Sequence, residues 1–250
     1  MAKRRGLALD GVLLLDKPEG LSSNHALQRA RRTLNAQKAG HTGTLDPFAT
    51  GLLVCCMGRA TKICAAMLDA DKAYRATLAF GEETDSGDLT GNVVARAADF
   101  GGVDEQALRE VLARFVGQIQ QVPPMYSALK RHGRPLYEYA RAGIEVEREP
   151  RTVTVHGIEL VRWDARSAVI DVSCSKGTYI RTLAQDIGRA LGCGAHLSAL
   201  SRTRVGPFAL ADAVTLDALQ SMDDPVRALL PLNELPAGLM PAGPMQRNPS

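Results

Sequence analysis

The sequence is poor in aromatic residues and contains no long hydrophobic run. Aromatic side chains make up 4% of the 250 residues, so each exposed tyrosine is more informative than usual. No stretch approaches the roughly 20 apolar residues that a membrane-spanning helix requires. The basic start at residues 1–5 precedes an apolar run that Asp10 and Asp16 interrupt, which argues against a signal peptide. We therefore expect a soluble, cytoplasmic protein.

Paired cysteines and metal-binding patterns are also missing. The five cysteines are odd in number, include no Cys-x-x-Cys pair, and contain the adjacent Cys55 and Cys56. Such a set is typical of reduced, buried thiols in a cytoplasmic protein. Cys193 and His196 have Cys-x-x-His spacing, but no second pair of ligands follows, as a structural zinc site would require. We expect neither a disulfide nor a bound metal.

Charge is ordinary in total but uneven along the chain. The net charge is +3. Residues 1–40 carry eight Lys/Arg against three Asp/Glu, and residues 172–205 are also basic, whereas residues 82–110 carry eight acids and two bases. A molecule with a basic pole can steer a polyanion onto one face. Unevenly distributed solvated charge explains the same pattern, so charge alone does not identify a partner.

Short apolar runs and amphipathic stretches follow one another without strict alternation. The periodicity predicts strands over 11–15, 52–57, 72–80, 152–162 and 168–174, and helices over 24–34, 60–69, 104–116 and 178–191. Either Ser22 or Ser23 can cap the first helix. We expect an α/β or α+β fold built on one mixed sheet.

Two segments differ in composition from the rest of the chain. Residues 121–151 are basic and polar, carry three tyrosines and show no strong period, so we interpret them as an insertion that packs loosely until a partner binds. Six of the 13 prolines lie beyond residue 223, and proline suits neither helix nor strand interiors. We predict a main domain over residues 1–222 and a loosely attached tail over 223–250.

The densest chemical pattern is the loop over residues 40–51, which centres on Asp46. Its glycines and Pro47 restrict the backbone, and such rigidity is one way to preorganise a single side chain. A tight turn closed by an aspartate explains the same residues. An aspartate is ionised at neutral pH, which suits a nucleophile or a weak base. No second carboxylate lies in a comparable loop, since the acidic stretch at 82–88 is interpreted as solvated surface, so glycoside hydrolysis is disfavoured.

Two further clusters suit contacts with anions. The first, residues 175–183, places Thr178, Tyr179 and Arg181 at a predicted strand-to-helix junction, where backbone N–H groups favour anions; a surface arginine and a core tyrosine are the simpler interpretation. The second interleaves basic residues with tyrosines over 123–141, as expected of a surface that holds phosphates and stacks bases. Its candidate RNA-binding residues are Lys130, Arg131, Arg134 and Arg141.

Together these motifs resemble the TruB family of tRNA pseudouridine synthases. The resemblance covers residues 11–206 and lies in six ordered blocks, which is far more specific than any single motif. The main blocks are Asp16-Lys17-Pro18-x-Gly20, the 40–51 loop, Gly58-x-Ala60-Thr61-Lys62, Lys72-x-Tyr74, Pro124-Met125-Tyr126-Ser127-Ala128-x-Lys130 and Lys176-Gly177-Thr178-Tyr179-Ile180-Arg181. The match also includes Leu200 before Arg202. It implies the pseudouridine-synthase fold, in which helices flank a central mixed, largely antiparallel sheet and 121–151 is an RNA-gripping insertion.

The resemblance also implies a reaction and a role for each residue. Uridine at position 55 in the T loop of tRNA would be flipped out and isomerised to pseudouridine by Asp46 as nucleophile, without a cofactor. Arg181 would pair with Asp46, and Tyr74 would stack on the target base. The remaining substrate-binding residues would be His41, Tyr179, Leu200, Lys17 and Lys62. The expected partner is tRNA, with a monomer that needs no obligatory protein partner.

The sequence departs from the family in two places, and three other functions compete with the one it implies. Family members commonly continue into a PUA-type RNA-binding domain, for which the tail over 223–250 is too short, and Ser201 stands where the family often has arginine. The competing functions are a non-catalytic tRNA-binding or folding protein, a subunit of the related RNA-guided, dyskerin-like synthases, and a nucleoside or sugar hydrolase. The set of Asp46, Tyr74 and Arg181 disfavours a protein that only binds tRNA. The short tail disfavours a subunit of the RNA-guided synthases, and the lone carboxylate disfavours a hydrolase.

Overall fold

The computed structural model describes residues 6–98, 100–127, 129–131, 133–237 and 239. Within these residues the strands are β1 (Gly11–Lys17), β2 (Ala39–His41), β3 (Thr50–Met57), β4 (Lys72–Phe80), β5 (Glu82–Thr84), β6 (Val93–Arg96), β7 (Gly117–Gln121), β8 (Lys130–Arg131), β9 (Arg134–Pro135), β10 (Arg151–Asp164), β11 (Ser167–Cys174), β12 (Ala195–Val205), β13 (Phe208–Ala209), β14 (Val214–Thr215) and β15 (Leu229–Leu230). The helices are α1 (Ser23–Thr33), α2 (Cys64–Asp69), α3 (Glu105–Arg114), α4 (Leu136–Arg141), α5 (Ile180–Ala190) and α6 (Leu216–Ser221). Short 3-10 helices cover Gly58–Ile63, Leu210–Asp212, Pro225–Ala228 and Leu232–Glu234.

The chain divides into two compact units. The first unit comprises Met1–Lys72 and Ser201–Ser250, and the second comprises Ala73–Leu200. In the first unit, β1 runs antiparallel to β3 and β15 and parallel to β14. Strand β3 also pairs with β2 in antiparallel and with the end of β12 in parallel orientation. The sheet of this unit is therefore mixed.

Strands β1 and β3 are apolar at nearly every position because both faces of their sheet are covered. Leu13, Leu15 and Leu53 face one way and pack with residues of α1 and α6. Val12 and Leu52 face the other way, where they pack with the 58–63 turn, α2 and Phe208. Alternate residues of a strand point to opposite faces, so a strand covered on both sides becomes a continuous apolar run.

Helix α1 forms where its sequence predicted it. The hydroxyl of Ser22 accepts a hydrogen bond from the N–H of His25 at 3.2 Å, so Ser22 is the N-cap. The buried residues Ala26, Leu27 and Ala30 recur at helical spacing and form the face that packs on the sheet. The cap satisfies one of the N–H groups that a helix leaves unpaired at its start.

The second unit contains strands in the order β4-β11-β10-β7, of which β11, β10 and β7 are paired antiparallel. Strands β10 and β11 form a long hairpin, and β7 pairs with the start of β10. Two short hairpins, β5–β6 and β8–β9, lie apart from this sheet. Helix α3 begins at the Asp104 cap, whose carboxylate accepts from the N–H of Ala107 at 3.0 Å.

The mixed α/β class with a large mixed sheet and flanking helices is confirmed. The predicted strands and helices are present, although residues 58–63 form a 3-10 turn before α2 rather than one helix over 60–69. The sequence missed β12, an eleven-residue strand, and the short strands β2, β5, β6, β7, β13, β14 and β15. It also treated 121–151 as lacking regular structure, whereas β8, β9 and α4 lie there. Apart from β12, these elements are two to six residues long, too short to show a period.

The start of the predicted tail is attached to the fold. Leu229 and Leu230 pair with Leu13 and Val12 of β1. Further apolar residues of this stretch pack on the core, namely Val226, Ala228, Leu232, Leu235 and Leu239. The apolar residues between the prolines provide this packing. Residues 240–250 lie outside the described part of the chain.

Gly51→Ala should destabilise the protein more than Gly20→Ala does. Both glycines have positive φ, +96° and +82°, where a Cβ costs about 1–2 kcal/mol. Only Gly51 approaches another backbone: a Cβ there would lie 2.7 Å from the nitrogen of Arg202, while Gly20 has nothing within 4 Å. Urea unfolding of both variants measures the difference. Equal losses of stability would show that the strand contact at Gly51 is not constraining.

Candidate active site

Asp46 lies in the loop over residues 42–49, which connects β2 to β3. The side chain is half-buried, so part of it stays accessible. The loop begins with a hydrogen bond from the N–H of Thr42 to the carbonyl of Val54 at 3.1 Å. It turns back through the N–H of Ala49, which donates to the carbonyl of Asp46 itself at 3.1 Å. Gly43, with φ +97°, supplies the left-handed conformation at the start of the turn.

The residue before Asp46 is held by one serine. The hydroxyl of Ser23 accepts from the N–H of Leu45 at 2.7 Å and donates to the carbonyl of the same residue at 3.0 Å. Ser23 and Leu45 are both buried. Both backbone polar groups of Leu45 are therefore paired in the interior, as buried peptide groups require.

The residue after Asp46 is held by Lys17 and Gly20. The carbonyl of Pro47 accepts from the N–H of Gly20 at 2.8 Å and from the ammonium of Lys17 at 3.3 Å. Lys17 also donates to the carbonyls of Pro18 and Leu21 at 2.8 and 2.7 Å. Its side chain is fully buried. The three acceptors compensate much of the cost of placing an ammonium group there.

The charge of Lys17 is set by opposing influences. Burial lowers the pKa of Lys17 to about 8, and the negative charges of Asp46 and Glu19 act against this shift. The nearby Arg202 lowers the same pKa further. At neutral pH the ammonium is still mostly protonated, so it can donate to its three carbonyl acceptors.

Arg202 is a functional candidate that the sequence placed in the family match, two residues after Leu200, without assigning it a role. It is among the largest fully buried side chains in the described residues. Its Nε donates to the carbonyl of Leu52 at 2.8 Å, and its Nη2 donates to the carbonyl of Gly43 at 3.2 Å. Arg202 thus joins the start of the Asp46 loop to strand β3, which follows the loop.

His41 and Lys62 lie in different environments, one half-buried and the other exposed. His41 is half-buried at the end of β2, and burial, followed by the charge of Arg202, lowers its pKa, which favours the neutral imidazole. Lys62 is exposed and lines a groove of about 390 Å³ together with Lys38 and Arg59. Lys17, His41 and Asp46 do not line that groove. The first unit therefore gathers Lys17, His41 and Asp46 around one loop, with Lys62 on a different surface.

In the second unit, Arg181 is a buried side chain rather than a surface charge. It is 5% exposed, and its Nη1 lies 3.6 Å from a carboxylate oxygen of Asp88, which is equally buried. Nη1 also donates to the carbonyl of Ser86 at 2.8 Å, and Nη2 donates to that of Tyr126 at 2.6 Å. The interpretation of 82–88 as solvated surface is therefore wrong for Asp88. The sequence did not identify Asp88 as buried, because the composition of an acidic stretch does not show which of its residues points inward.

Tyr179 is positioned through its backbone. The buried side chain of Gln121 accepts from the N–H of Tyr179 at 3.0 Å and donates to its carbonyl at 3.2 Å. Leu200 is 8% exposed, and Tyr74, on β4, is half-buried. The sequence did not identify Gln121, because a single glutamine in a short strand has no distinguishing pattern.

The four predicted RNA-binding cations lie on the β8–β9 hairpin and on α4. All four residues are exposed. Arg134 pairs with Glu138 at 2.8 Å and stacks over the ring of Tyr139, 5.0 Å from its centre. Arg141 lies over Tyr137 at 5.4 Å. The arginines and tyrosines of this segment thus form cation–π pairs with one another.

The described residues show neither a membrane span nor a metal centre. None of the described helices is long and apolar enough to cross a membrane. The same residues contain no group of three or more His, Cys, Asp or Glu side chains that could hold a metal ion. His196 instead contacts the carbonyl of Glu82 through Nδ1 at 3.2 Å.

Known proteins match this chain along most of its length. The profile of the TruB family pseudouridylate synthase N-terminal domain matches residues 31–180, and that of the tRNA pseudouridylate synthase B C-terminal domain matches residues 181–235. The tRNA pseudouridine synthase B of Bordetella pertussis is 76% identical over 97% of this chain and 100% of its own length. The protein of the same name from Aromatoleum aromaticum is 59% identical over 91% of this chain and 74% of its own.

A solved structure agrees with these sequence matches. A chain of the crystal structure of a Cbf5-Nop10-Gar1 complex superposes with a TM-score of 0.71 at 33% identity. The match covers 90% of the present chain and 60% of that one, so the present chain spans a little over half of its length. On these matches, the chain belongs to the TruB family of pseudouridylate synthases, which are isomerases.

Proposed function

We propose that this enzyme isomerises uridine to pseudouridine in the T loop of tRNA, at position 55, and that Asp46 is its nucleophile. The observation that carries the proposal is the loop over 42–49, which presents one half-buried carboxylate between two neighbours fixed by buried side chains. Rigid placement of a reacting group is a large source of rate enhancement. The names of the relatives support tRNA as the substrate.

The reaction requires one bond to be exchanged for another. The N1–C1′ glycosidic bond of uridine breaks, a C5–C1′ bond forms, and the hydrogen on C5 leaves as a proton while N1 gains one. Asp46 would attack either C6 of the base or C1′ of the sugar, and both routes use the ionised carboxylate. Lys17 supports that ionised form, because the charges of Lys17 and Asp46 attract each other. The balance needs no cofactor.

Arg181 would pair with Asp46 and keep its carboxylate aimed at the substrate. A guanidinium has five N–H donors. Donors at Nη1 and Nη2 of Arg181 bond the carbonyls of Ser86 and Tyr126. Asp88 holds the same guanidinium from one side and fixes its direction. An arginine held in this way loses little side-chain entropy when it binds a further carboxylate.

The target uridine must leave its stack before it can react. Extruding a base costs a few kcal/mol, and stacking it on Tyr74 would return about 1–3 kcal/mol. Tyr179 and Leu200 would line the uracil pocket, and His41, neutral and uncharged, would fill the space that the flipped base leaves. Lys62 would contact the RNA from its exposed position. Recognition would rest on the shape of the T loop.

The remaining tRNA contacts would come from the hairpin and α4. Lys130, Arg131, Arg134 and Arg141 would neutralise phosphates, and the tyrosines beside them would stack on bases. We further propose that the enzyme works in the cytoplasm as a monomer without an obligatory protein partner. The alternative is a protein that binds or folds tRNA without turnover, and the first test below separates the two.

Asp46→Asn should abolish turnover while tRNA binding persists. The amide keeps the shape but cannot act as nucleophile, so we expect a loss of at least about 10³-fold. Release of tritium from tRNA transcript labelled at C5 of uridine measures the reaction. Asp104→Asn is the matched control, because asparagine caps a helix as well as aspartate does. Turnover by the Asp46 variant would contradict the role of Asp46 as nucleophile. If wild-type enzyme binds tRNA but releases no tritium, the result would favour the alternative, a protein that binds or folds tRNA without turnover.

The double variant Arg131→Ala, Arg134→Ala should bind tRNA more weakly and with less dependence on salt. The slope of log affinity against log salt concentration should fall by roughly one per arginine that contacts a phosphate. The control is Arg109→Ala, Arg114→Ala on α3, which removes the same charge and includes an equivalent ion pair, Arg109 with Glu105 at 2.7 Å. An unchanged slope in the hairpin variant would exclude these arginines from the RNA interface.

A further inference from the structure

We propose that Ser23 is a positioning residue that fixes Asp46 for attack through the backbone of Leu45. The inference rests on the proposed nucleophilic role of Asp46. It concerns a residue that the sequence pattern offered only as a possible helix cap. The cap is provided by Ser22, whose hydroxyl accepts from the N–H of His25, so the hydroxyl of Ser23 is free for another task.

The geometry at Ser23 is specific to one residue of the loop. Its Oγ lies 2.7 Å from the nitrogen of Leu45 and 3.0 Å from the oxygen of Leu45. Ser23 is 1% exposed and Leu45 is 3% exposed. With both ends of Leu45 bonded to one atom, neither of the flanking peptide planes can rotate without breaking a buried hydrogen bond. The second of those planes leads directly into Asp46.

Other contacts hold the rest of the loop independently of Ser23. Arg202 holds the carbonyl of Gly43, and Lys17 with Gly20 holds that of Pro47. Loss of the Ser23 hydroxyl would therefore leave the loop in place at both ends, and the bond from the N–H of Ala49 to the carbonyl of Asp46 would remain. Only the N–H and C=O of Leu45 would lose their partner. A buried N–H and C=O left without partners would turn toward water, and the carboxylate of Asp46 would turn with them.

Two adjacent serines provide a matched comparison, Ser23→Ala against Ser22→Ala. Each variant loses a single hydroxyl, one from the Asp46 loop and one from the helix cap. We expect Ser23→Ala to lower the single-turnover rate of tritium release by about 10–100-fold, the scale of a misplaced reacting group. Its Kd for tRNA should stay within about threefold of wild type. Ser22→Ala should keep the wild-type rate although it loses a cap bond.

The split between rate and binding separates positioning from general damage. A Ser23→Ala rate equal to that of Ser22→Ala would overturn the proposal, and so would a rate and an affinity that fall together. If Ser23→Ala does not fold, Ser23→Cys takes its place, because a thiol fills the space of the hydroxyl with a somewhat larger atom and donates only weakly. A wild-type rate in that variant would likewise overturn the proposal, and a slow rate with intact binding would support it.

The proposed function is tested separately in the same assay. Wild-type enzyme must release tritium and Asp46→Asn must not. If wild type fails to release tritium, or if Asp46→Asn remains active, the proposed function fails whatever the serine variants do. If those two enzymes behave as expected and Ser23→Ala is fully active, only the role of Ser23 fails.

Discussion

The structure around Asp46 depends on buried side chains that bond to backbone carbonyls of a loop. Lys17 and Arg202 are fully buried cations, and their hydrogen-bond acceptors are the oxygens of Pro18, Leu21, Pro47, Gly43 and Leu52. A buried charge is costly unless it is well bonded. Each cation therefore requires its carbonyls to stay in place, and the carbonyls in turn fix the path of the loop. The stability of two buried charges and the geometry of one carboxylate are thus linked.

Buried neutral side chains also hold the backbone, each by bonding to the polar groups of one residue. Ser23 bonds to both polar groups of Leu45, and Gln121 bonds to both polar groups of Tyr179. In each case one buried polar side chain pairs the N–H and the C=O of a residue that belongs to no regular strand. Loop backbone in the interior has no ladder to satisfy it, so side chains must do so. Asp46 and Tyr179, the proposed nucleophile and a proposed pocket residue, lie on or next to residues held in this way.

Arg181 illustrates how a charged side chain is accommodated and oriented inside the protein. Its contacts to Asp88, Ser86 and Tyr126 compensate its burial and orient the guanidinium. Arginine suits this position because its planar fork keeps its charge and can serve several acceptors at once. A lysine at the same place would offer a point charge without direction. The residues around a buried cation can therefore matter as much as the cation itself.

The sequence by itself determined the family, most of the longer strands and helices, and the loop that carries Asp46, because these depend on local periodicity, on glycine and proline chemistry, and on ordered motifs. Tertiary structure alone decided that Asp88 is buried while its acidic neighbours are not, and that Ser23 serves the loop while Ser22 caps the helix. It also decided which carbonyls Arg202 bonds and that Gln121 takes part at all. Two adjacent serines are equivalent in a sequence and differ only in what lies opposite them. The partners that decide these roles are distant along the chain. Leu45 lies 22 residues from Ser23, and Gly43 lies 159 residues from Arg202, so no local pattern can encode these contacts.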